Sequence, residues 1–362
     1  MYPQPTPEGF RSALYAWHKG VHRPMPWKGE KDPYRIWLSE IILQQTRVDQ
    51  GRSYYEKFIT VFPNIQALAT ADENAVLKLW EGLGYYSRAR NLLRCAQVIH
   101  QQFNGQFPNT LQGLLQLPGI GPYTAAAIAS FAFQLPVPAI DGNVERILSR
   151  IWGIEIPIDT PQGKKQLSLL ANTLVDPTHP DQFNQAMMDF GAVQCMPRKP
   201  LCEKCPFRQC CTAHLNAKTN SFPIKSKKNE KKSRYFHYLV LMAGDEVFVR
   251  QRPKGDIWAA LWEFPLIELP SIEISPEKLK ATSALLQQLP QAILTHSSKT
   301  YRQTLTHQQI AARFWVFQID SDLPLQIDNE WHRIHWKSLK DIALPGIIRS
   351  YLEDKSLSLH FL

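Results

Sequence analysis

Five of the six cysteines fall within seventeen residues, in the run CMPRKPLCEKCPFRQCC. Within it, Cys195, Cys202, Cys205 and Cys211 follow the spacing C-x6-C-x2-C-x5-C. Four thiolates on one short loop can surround a zinc ion or a four-iron cluster, and spacing alone does not choose between them. Prolines interrupt the run, so it cannot form a regular helix or strand that buries the thiols as inert core. Cys210 is the spare, because it adjoins Cys211 and neighbouring residues rarely both ligate on a small loop. Arg198, Lys199, Lys204 and Arg208 interleave with the ligands and make the loop basic. That suits contact with phosphates as well as with water.

A second constellation is LPGIGPYTAAAIASFAF, residues 117–133. Gly119 and Gly121 stand at the mouth of an apolar helix. A helix start leaves N–H groups unpaired and carries partial positive charge. Glycines let a phosphate oxygen approach those groups closely. Such a hairpin grips a nucleic-acid backbone without reading its sequence; a tight helix–helix turn without a ligand explains the same residues. About twenty residues on, VPAIDGNVERILSR carries Asp141 ahead of Gly142 and Asn143. Aspartate caps helices well, and a capping carboxylate is also a held, ionised one.

These groups need elements to position them. Residues 8–215 read mainly as helices, with apolar residues at helical spacing in PYRIWLSEIILQQTRV, in NAVLKLWEGLGYYSRARNLLRCAQVIHQQF and in NVERILSRIWGI. Gly82 and Gly84 divide the second of these into two helices. Residues 216–234 are polar and lysine-rich, which describes a solvated linker. Beyond them, YFHYLVLMAGDEVFVRQRP reads as a β-hairpin and HQQIAARFWVFQI as a further strand. SPEKLKATSALLQQL reads as one helix. The expected organisation is a helical domain at 1–215, a basic linker at 216–234 and an α+β domain at 235–362. The 362-residue length suits two domains, and the net charge of +9 favours an acidic partner, nucleic acid first. No run of eighteen apolar residues exists and the N-terminal stretch lacks a signal-peptide pattern, so neither a membrane span nor secretion is expected.

The helix LPGIGPYTAAAIASFAF, then AIDGNVERILSR, then the four-cysteine loop, resemble the helix-hairpin-helix DNA glycosylases of the endonuclease III superfamily. DPYRIWLSEIILQQTRV and WEGLGYYSRARNL narrow the resemblance to the adenine DNA glycosylases of the MutY type. The match runs in order through residues of about 20–215 and continues more weakly to the C-terminus. It implies a six-helix barrel beside a second helical lobe that carries a [4Fe-4S] cluster, with DNA bound in the cleft. It therefore favours iron–sulfur over zinc for Cys195, Cys202, Cys205 and Cys211.

Breaking a bond between deoxyribose and purine needs an anion beside the sugar and a proton for the departing base. The resemblance gives Asp141 the first role and Glu40 the second, with protonation at adenine N7. Glu40 is one charge within the apolar IWLSEIILQQT, so burial is expected to raise its pKa. Tyr123 occupies the place where strand-cutting relatives carry a Schiff-base lysine. A phenol cannot form that adduct, which implies a monofunctional enzyme. Tyr123 is expected to hydrogen-bond the Asp141 carboxylate or the reacting sugar, and Asn143 to orient Asp141 or the sugar. Gln45 and Tyr85 are implied to intrude beside the opposite 8-oxoguanine. The family often has arginine after PW; here Lys28 lacks the planar fork.

RPKGDIWAALWEFP, residues 252–265, resembles the Nudix-like domain that adenine glycosylases carry, without the glutamate-rich metal box that pyrophosphohydrolysis needs. The family reads 8-oxoguanine there with a Phe-Ser/Thr-His loop. Leu305, Thr306 and His307 match best, with leucine in place of the aromatic wedge; Thr295, His296 and Ser297 are the competing register. The whole reading is an adenine glycosylase of base excision repair with a [4Fe-4S] cofactor. It acts on double-stranded DNA carrying adenine opposite 8-oxoguanine or guanine, as a cytoplasmic monomer, nucleoid-associated if bacterial. The rivals are a thymine or oxidised-pyrimidine glycosylase with lyase action, an inactive iron–sulfur DNA-binding protein and a Nudix nucleotide hydrolase.

Overall fold

Asp32 and Pro33 set the start of the helix on which much else packs. The Asp32 side chain accepts the Tyr34 N–H at 2.9 Å, and proline at the first helical position has no N–H to leave unpaired. Pro33–Leu43 then buries Ile36, Trp37, Leu38, Ile41 and Ile42, so it is a central helix rather than a surface one. It packs on Pro122–Phe133, whose Ala125, Ala126 and Ala127 let the two backbones approach. The computed structural model describes residues 4–226, 230–320 and 331–354. The chain forms two compact units, one made of 1–71 and 91–228, the other of 72–90 and 229–362.

The first unit is helical. The division at Gly82 and Gly84 is present, between Glu73–Trp80, which belongs to the second unit, and Ser87–Gln102, most of which lies in the first. Gly142–Trp152 turns Val144, Ile147, Leu148 and Ile151 into a core shared with Phe10, Phe183, Phe190 and Phe207. Pro180–Asp189 runs directly into a wider π-type turn, Phe190–Gln194, which leads to the first cysteine of the loop. The basic stretch 216–234 is not solvated along its length. Phe222 is buried in this core, Arg150 Nε donates to Thr219 O at 2.8 Å, and Ser226 N donates to Asp159. Residues 227–229 of that stretch lie outside the described residues.

The second unit is built on a mixed eight-stranded sheet. Its strands are β1 (Lys232–Ala243), β2 (Glu246–Gln251), β3 (Trp262–Glu263), β4 (Leu266–Leu269), β5 (Ile293–Ser297), β6 (Tyr301–Thr304), β7 (Gln308–Gln318) and β8 (His332–His335). The Gly244–Asp245 turn joins β1 and β2 as the sequence predicts, and β1 pairs with β7 in parallel. Successive β1 residues face opposite cores: Phe236, Tyr238 and Val240 one side, Leu239 and Leu241 the other. Gly346–Leu352 covers the first face. The second is covered by two short helices, Pro276–Thr282 and Ala284–Gln287, where one was expected. The break is Ser283, which is extended and accepts the Leu286 N–H at 3.1 Å, starting a new helix.

Candidate active site and cysteine loop

Three helices bring the predicted chemistry together. Glu40 comes from Pro33–Leu43, Tyr123 from the first turn of Pro122–Phe133, and Asp141 and Asn143 from the start of Gly142–Trp152. All four line one cavity of about 1300 Å³ in the helical unit. Gly119, Gly121, Lys28 and Gln45 line the same cavity. Tyr85, Thr306 and His307 belong to the other unit.

Asp141 is the N-cap of its helix. Its Oδ1 accepts the N–H groups of Asn143 and Val144 at 2.9 and 2.8 Å, and its Oδ2 accepts Asn143 Nδ2 at 2.7 Å. Burial pushes this carboxyl above its ordinary range, while those donors and Arg146 pull the other way. Glu40 is 9% exposed and has a different environment. Burial pushes its pKa up to about 7, with the nearby Asp141 charge adding to the rise and the hydrogen bond from Tyr123 opposing it. Donors favour the ionised form of a carboxyl. Asp141 receives three N–H donors and Glu40 one phenol, so the first negative charge of the pair settles on Asp141 and the remaining proton stays with Glu40.

Tyr123 does not bond Asp141. Its hydroxyl donates to Glu40 Oε2 at 2.6 Å, with Met188 Sδ 4.0 Å away. Burial and the two carboxylates hold the phenol well above its ordinary pKa, so it stays neutral. Asn143 does meet Asp141, and it is held in turn by Arg146, a residue the sequence reading passed over as ordinary helix. Arg146 Nη2 donates to Asn143 Oδ1 at 2.7 Å and to Gly191 O at 2.8 Å, and its Nε donates to Cys195 O at 2.8 Å. The close approach has a steric condition: a Cβ on Gly191 would overlap Asn143. A basic residue three positions after Asn143, on the buried face of its helix, was the available signal.

Lys28 is committed to another missed residue. Asp189 is fully buried and takes three basic side chains, the cations Arg23 and Lys28 at 2.9 Å each and the His18 ring at 3.0 Å. These partners hold its carboxyl below the usual range against the burial that would raise it. These three side chains line the cavity. At the glycine hairpin, Gly119 has φ 75°, and a Cβ there would stand 2.6 Å from Asn91 Cβ. Gly121 caps the Pro122–Phe133 helix with open space before it, so the N–H groups of that helix start are approachable.

The four predicted ligands, Cys195, Cys202, Cys205 and Cys211, line one small cavity with Arg150, Ile151 and Phe190. Cys210 does not line it, and its thiol donates to Phe207 O instead. Without a cation, burial pushes the Cys205 thiol up to about 12 and Cys211 to about 11, and the neighbouring cysteines add to both. Arg150 Nη1 sits 3.4 Å from Cys195 Sγ, a donor for a thiolate. Among the described residues no three such ligands are close enough for a single ion. The four thiols nevertheless line one cavity, a donor set whose type suits a thiolate-bound metal centre.

In the second unit the Tyr85 hydroxyl lies 2.6 Å from Thr306 Oγ1. Tyr85 is 47% exposed at φ 48°, and the Arg88 guanidinium stands over its ring at 5.6 Å. Gln45, at φ 59°, is also left-handed without being glycine. Such backbone is sparsely populated and persists where its surroundings enforce it. Thr306 and His307 are exposed in the turn between β6 and β7, while Leu305 packs on the core beneath. The competing Thr295 and His296 are taken up in β5, which pairs with β7.

Residues 38–172 match the family model described as HhH-GPD superfamily base excision DNA repair protein, and residues 237–354 match a NUDIX domain. An adenine DNA glycosylase of Buchnera aphidicola subsp. Baizongia pistaciae (strain Bp) is 40% identical over 260 residues, covering 71% of this chain and 73% of that protein. One of Mus musculus is 34% identical over 332 residues, covering 77% of this chain and 64% of its own length. Among solved structures, a thermostable thymine-DNA glycosylase superposes with a TM-score of 0.54 at 30% identity, over 58% of this chain and 97% of that one.

Proposed function

The chain belongs to the adenine DNA glycosylases of the HhH-GPD base excision repair superfamily, and on that premise we propose that it hydrolyses adenine from pairs with 8-oxoguanine, or with guanine, in double-stranded DNA. The observation that carries this reading is the pair of unlike carboxyls, Glu40 and Asp141, opening into one cavity. An adenine turned out of the stack into that cavity receives the Glu40 proton at N7. The glycosidic electron pair leaves with the base. Asp141, held ionised by Asn143 and the helix start, stabilises the positive charge that grows on the deoxyribose. Water then adds to the sugar and an intact abasic site remains. Tyr123 keeps Glu40 in place and offers no amine for a Schiff base, so the enzyme is monofunctional.

The glycine hairpin at Gly119 and Gly121 holds the DNA backbone through main-chain N–H groups. Gln45 fills the space left by the turned-out base. Tyr85, Thr306 and His307 read the partner base, and the fixed hydroxyl pair of Tyr85 and Thr306 supports 8-oxoguanine as that partner, because it offers a donor to the extra carbonyl oxygen. Lys28 acts from its ion pair with Asp189 as part of a cationic wall rather than as a direct reader of adenine. Cys195, Cys202, Cys205 and Cys211 hold a [4Fe-4S] cluster, which when bound clamps the basic loop 195–211 as a structural unit. The protein works as a monomer in the compartment that holds the DNA, the cytoplasm and nucleoid in a bacterium.

A duplex panel tests the reading. Adenine opposite 8-oxoguanine, adenine opposite guanine, thymine opposite guanine and thymine glycol are each incubated with protein, with and without alkali. Base release from the first two alone, with strand scission only after alkali, is expected. Release of thymine, or scission without alkali, overturns it.

A further inference from the structure

The second unit contains a cavity of about 430 Å³ that the proposed reaction does not use. That size lies within the range of small-molecule sites. Its floor is apolar and comes from buried core residues: Val240 and Val247 of the β1–β2 hairpin, Phe264 and Leu344. Its rim is charged, with Lys78, Lys337, Lys340 and Arg349 against Glu81 and Glu353.

The carboxylates are already engaged. Lys78 Nζ donates to Glu81 Oε2 at 2.8 Å and the Leu344 N–H donates to Glu81 Oε1 at 3.2 Å. Arg349 lies 3.8 Å from Glu81 and from Glu353. Lys337 and Lys340 form no ion pair with a carboxylate among the described residues; Lys337 Nζ instead stands 5.7 Å from the centre of the Trp336 ring. Four cations against two spoken-for carboxylates leave a positive rim over an apolar, partly aromatic floor.

A duplex backbone does not fit this arrangement. It is a convex polyanion that cannot reach a recessed apolar floor. A single anionic group attached to a flat apolar body does fit, because the body removes the floor from water while the two lysines take the charge. We infer that this cavity binds a small amphipathic monoester anion of the nucleoside monophosphate class, at a site separate from the glycosylase cavity.

Adenosine 5′-monophosphate is the probe, titrated calorimetrically into the full-length, cofactor-loaded protein, with adenosine and inorganic phosphate as its two halves. Binding is expected with a dissociation constant below about 1 mM, at least tenfold tighter than either half. The double variant Lys337→Glu, Lys340→Glu should lose that binding at least tenfold while still releasing adenine at the normal rate. Lys337→Ala, Lys340→Ala should weaken it in the same direction if the reversal variant is poorly soluble. The inference fails if the monophosphate does not bind, if adenosine binds equally well, or if neither variant changes the affinity. It also fails if the variants weaken duplex binding instead, which would make the lysines a DNA contact.

Discussion

The Tyr123 hydroxyl donates to Glu40 Oε2 at 2.6 Å, across 83 positions of sequence. The contact joins the first turn of the glycine-hairpin helix to the one acidic residue of the central helix. It gives the hairpin that would hold DNA a direct line to the group that would protonate the base. It also opposes the burial that raises Glu40, and so sets where the proton is lost.

Replacing Tyr123 by phenylalanine removes a donor to the ionised form of Glu40, so the Glu40 pKa rises further. On the proposed mechanism the rate of adenine release depends on protonated Glu40 and falls as pH passes that pKa. The falling limb, expected near pH 7 in the parent, should move to higher pH by about one unit, the worth of one hydrogen bond to a charged group. Single-turnover profiles for Tyr123→Phe and the parent measure it directly. A limb that stays in place, or moves to lower pH, would show that another group titrates.

Glu40→Gln separates activity from stability. The folded pKa of about 7 lies above the ordinary 4.5, so Glu40 costs nothing while it is protonated in both states at low pH. As pH rises from 4.5 through 7 the unfolded chain ionises more easily, and stability is lost up to a limit of about 3 kcal/mol. Glutamine cannot ionise. At pH 8 the variant should therefore unfold at higher urea than the parent, while below about pH 4.5 the two converge. Its adenine release should fall at least about a hundredfold. Parallel stability curves for the two proteins would mean that Glu40 is not held protonated.

Asp141→Asn should keep the fold and lose the chemistry. Asparagine caps helices as well as aspartate does, so the loss of stability should stay below about 1 kcal/mol. The anion proposed to face the sugar is gone, and turnover should fall by at least about a hundredfold with duplex affinity retained. Gel-shift titration beside single-turnover kinetics distinguishes these. Weak binding with normal turnover would move Asp141 from catalysis to DNA contact.

Arg146→Lys tests the path from the cysteine loop to Asp141. The guanidinium spans Asn143 Oδ1, Gly191 O and Cys195 O, and a lysine ammonium cannot satisfy all three. Two readouts should change together: slower adenine release, because Asn143 no longer orients Asp141, and, with the proposed iron–sulfur cluster in the loop, faster bleaching of its visible absorbance on heating. A variant with normal cluster lifetime and slow release would confine Arg146 to the Asn143 side.

Much of this site is legible in the sequence, for reasons that can be named. The cysteines declare themselves by spacing, Asp141 by its place before a strong helix, and Glu40 as a single charge in an apolar stretch. Each signal is local. What is not legible depends on how helices are rotated against one another. Tyr123 lies in reach of Glu40 rather than Asp141 because of the packing of Pro122–Phe133 on Pro33–Leu43. Asp189 reads as one more acid at a helix end, yet the fold turns it inward to three basic side chains that are sequence-distant from it. The break at Ser283 was hidden because serine is tolerated inside helices and only its extended backbone reveals a new cap. Likewise Phe222 looked solvated amid lysines, but an aromatic side chain in a polar run is free to dock on a neighbouring core.

The register of the C-terminal loop was ambiguous in sequence for a related reason, since two Thr-His pairs lie eleven residues apart. Pairing of β5 and β6 with β7 leaves Thr306 in an exposed turn beside Tyr85. If that hydroxyl pair reads the partner base, Thr306→Val, which keeps the shape and removes the donor, should act on 8-oxoguanine pairs alone. The preference for 8-oxoguanine over guanine should fall about five- to tenfold, the worth of one hydrogen bond. Adenine release opposite guanine should be unchanged. Tyr85→Phe should lower the same preference, and the double variant should lose little more than either single one, because the two hydroxyls act as a unit. Equal loss on both duplexes would instead mark the pair as a brace between the Gly84–Tyr85 turn and the β6–β7 turn.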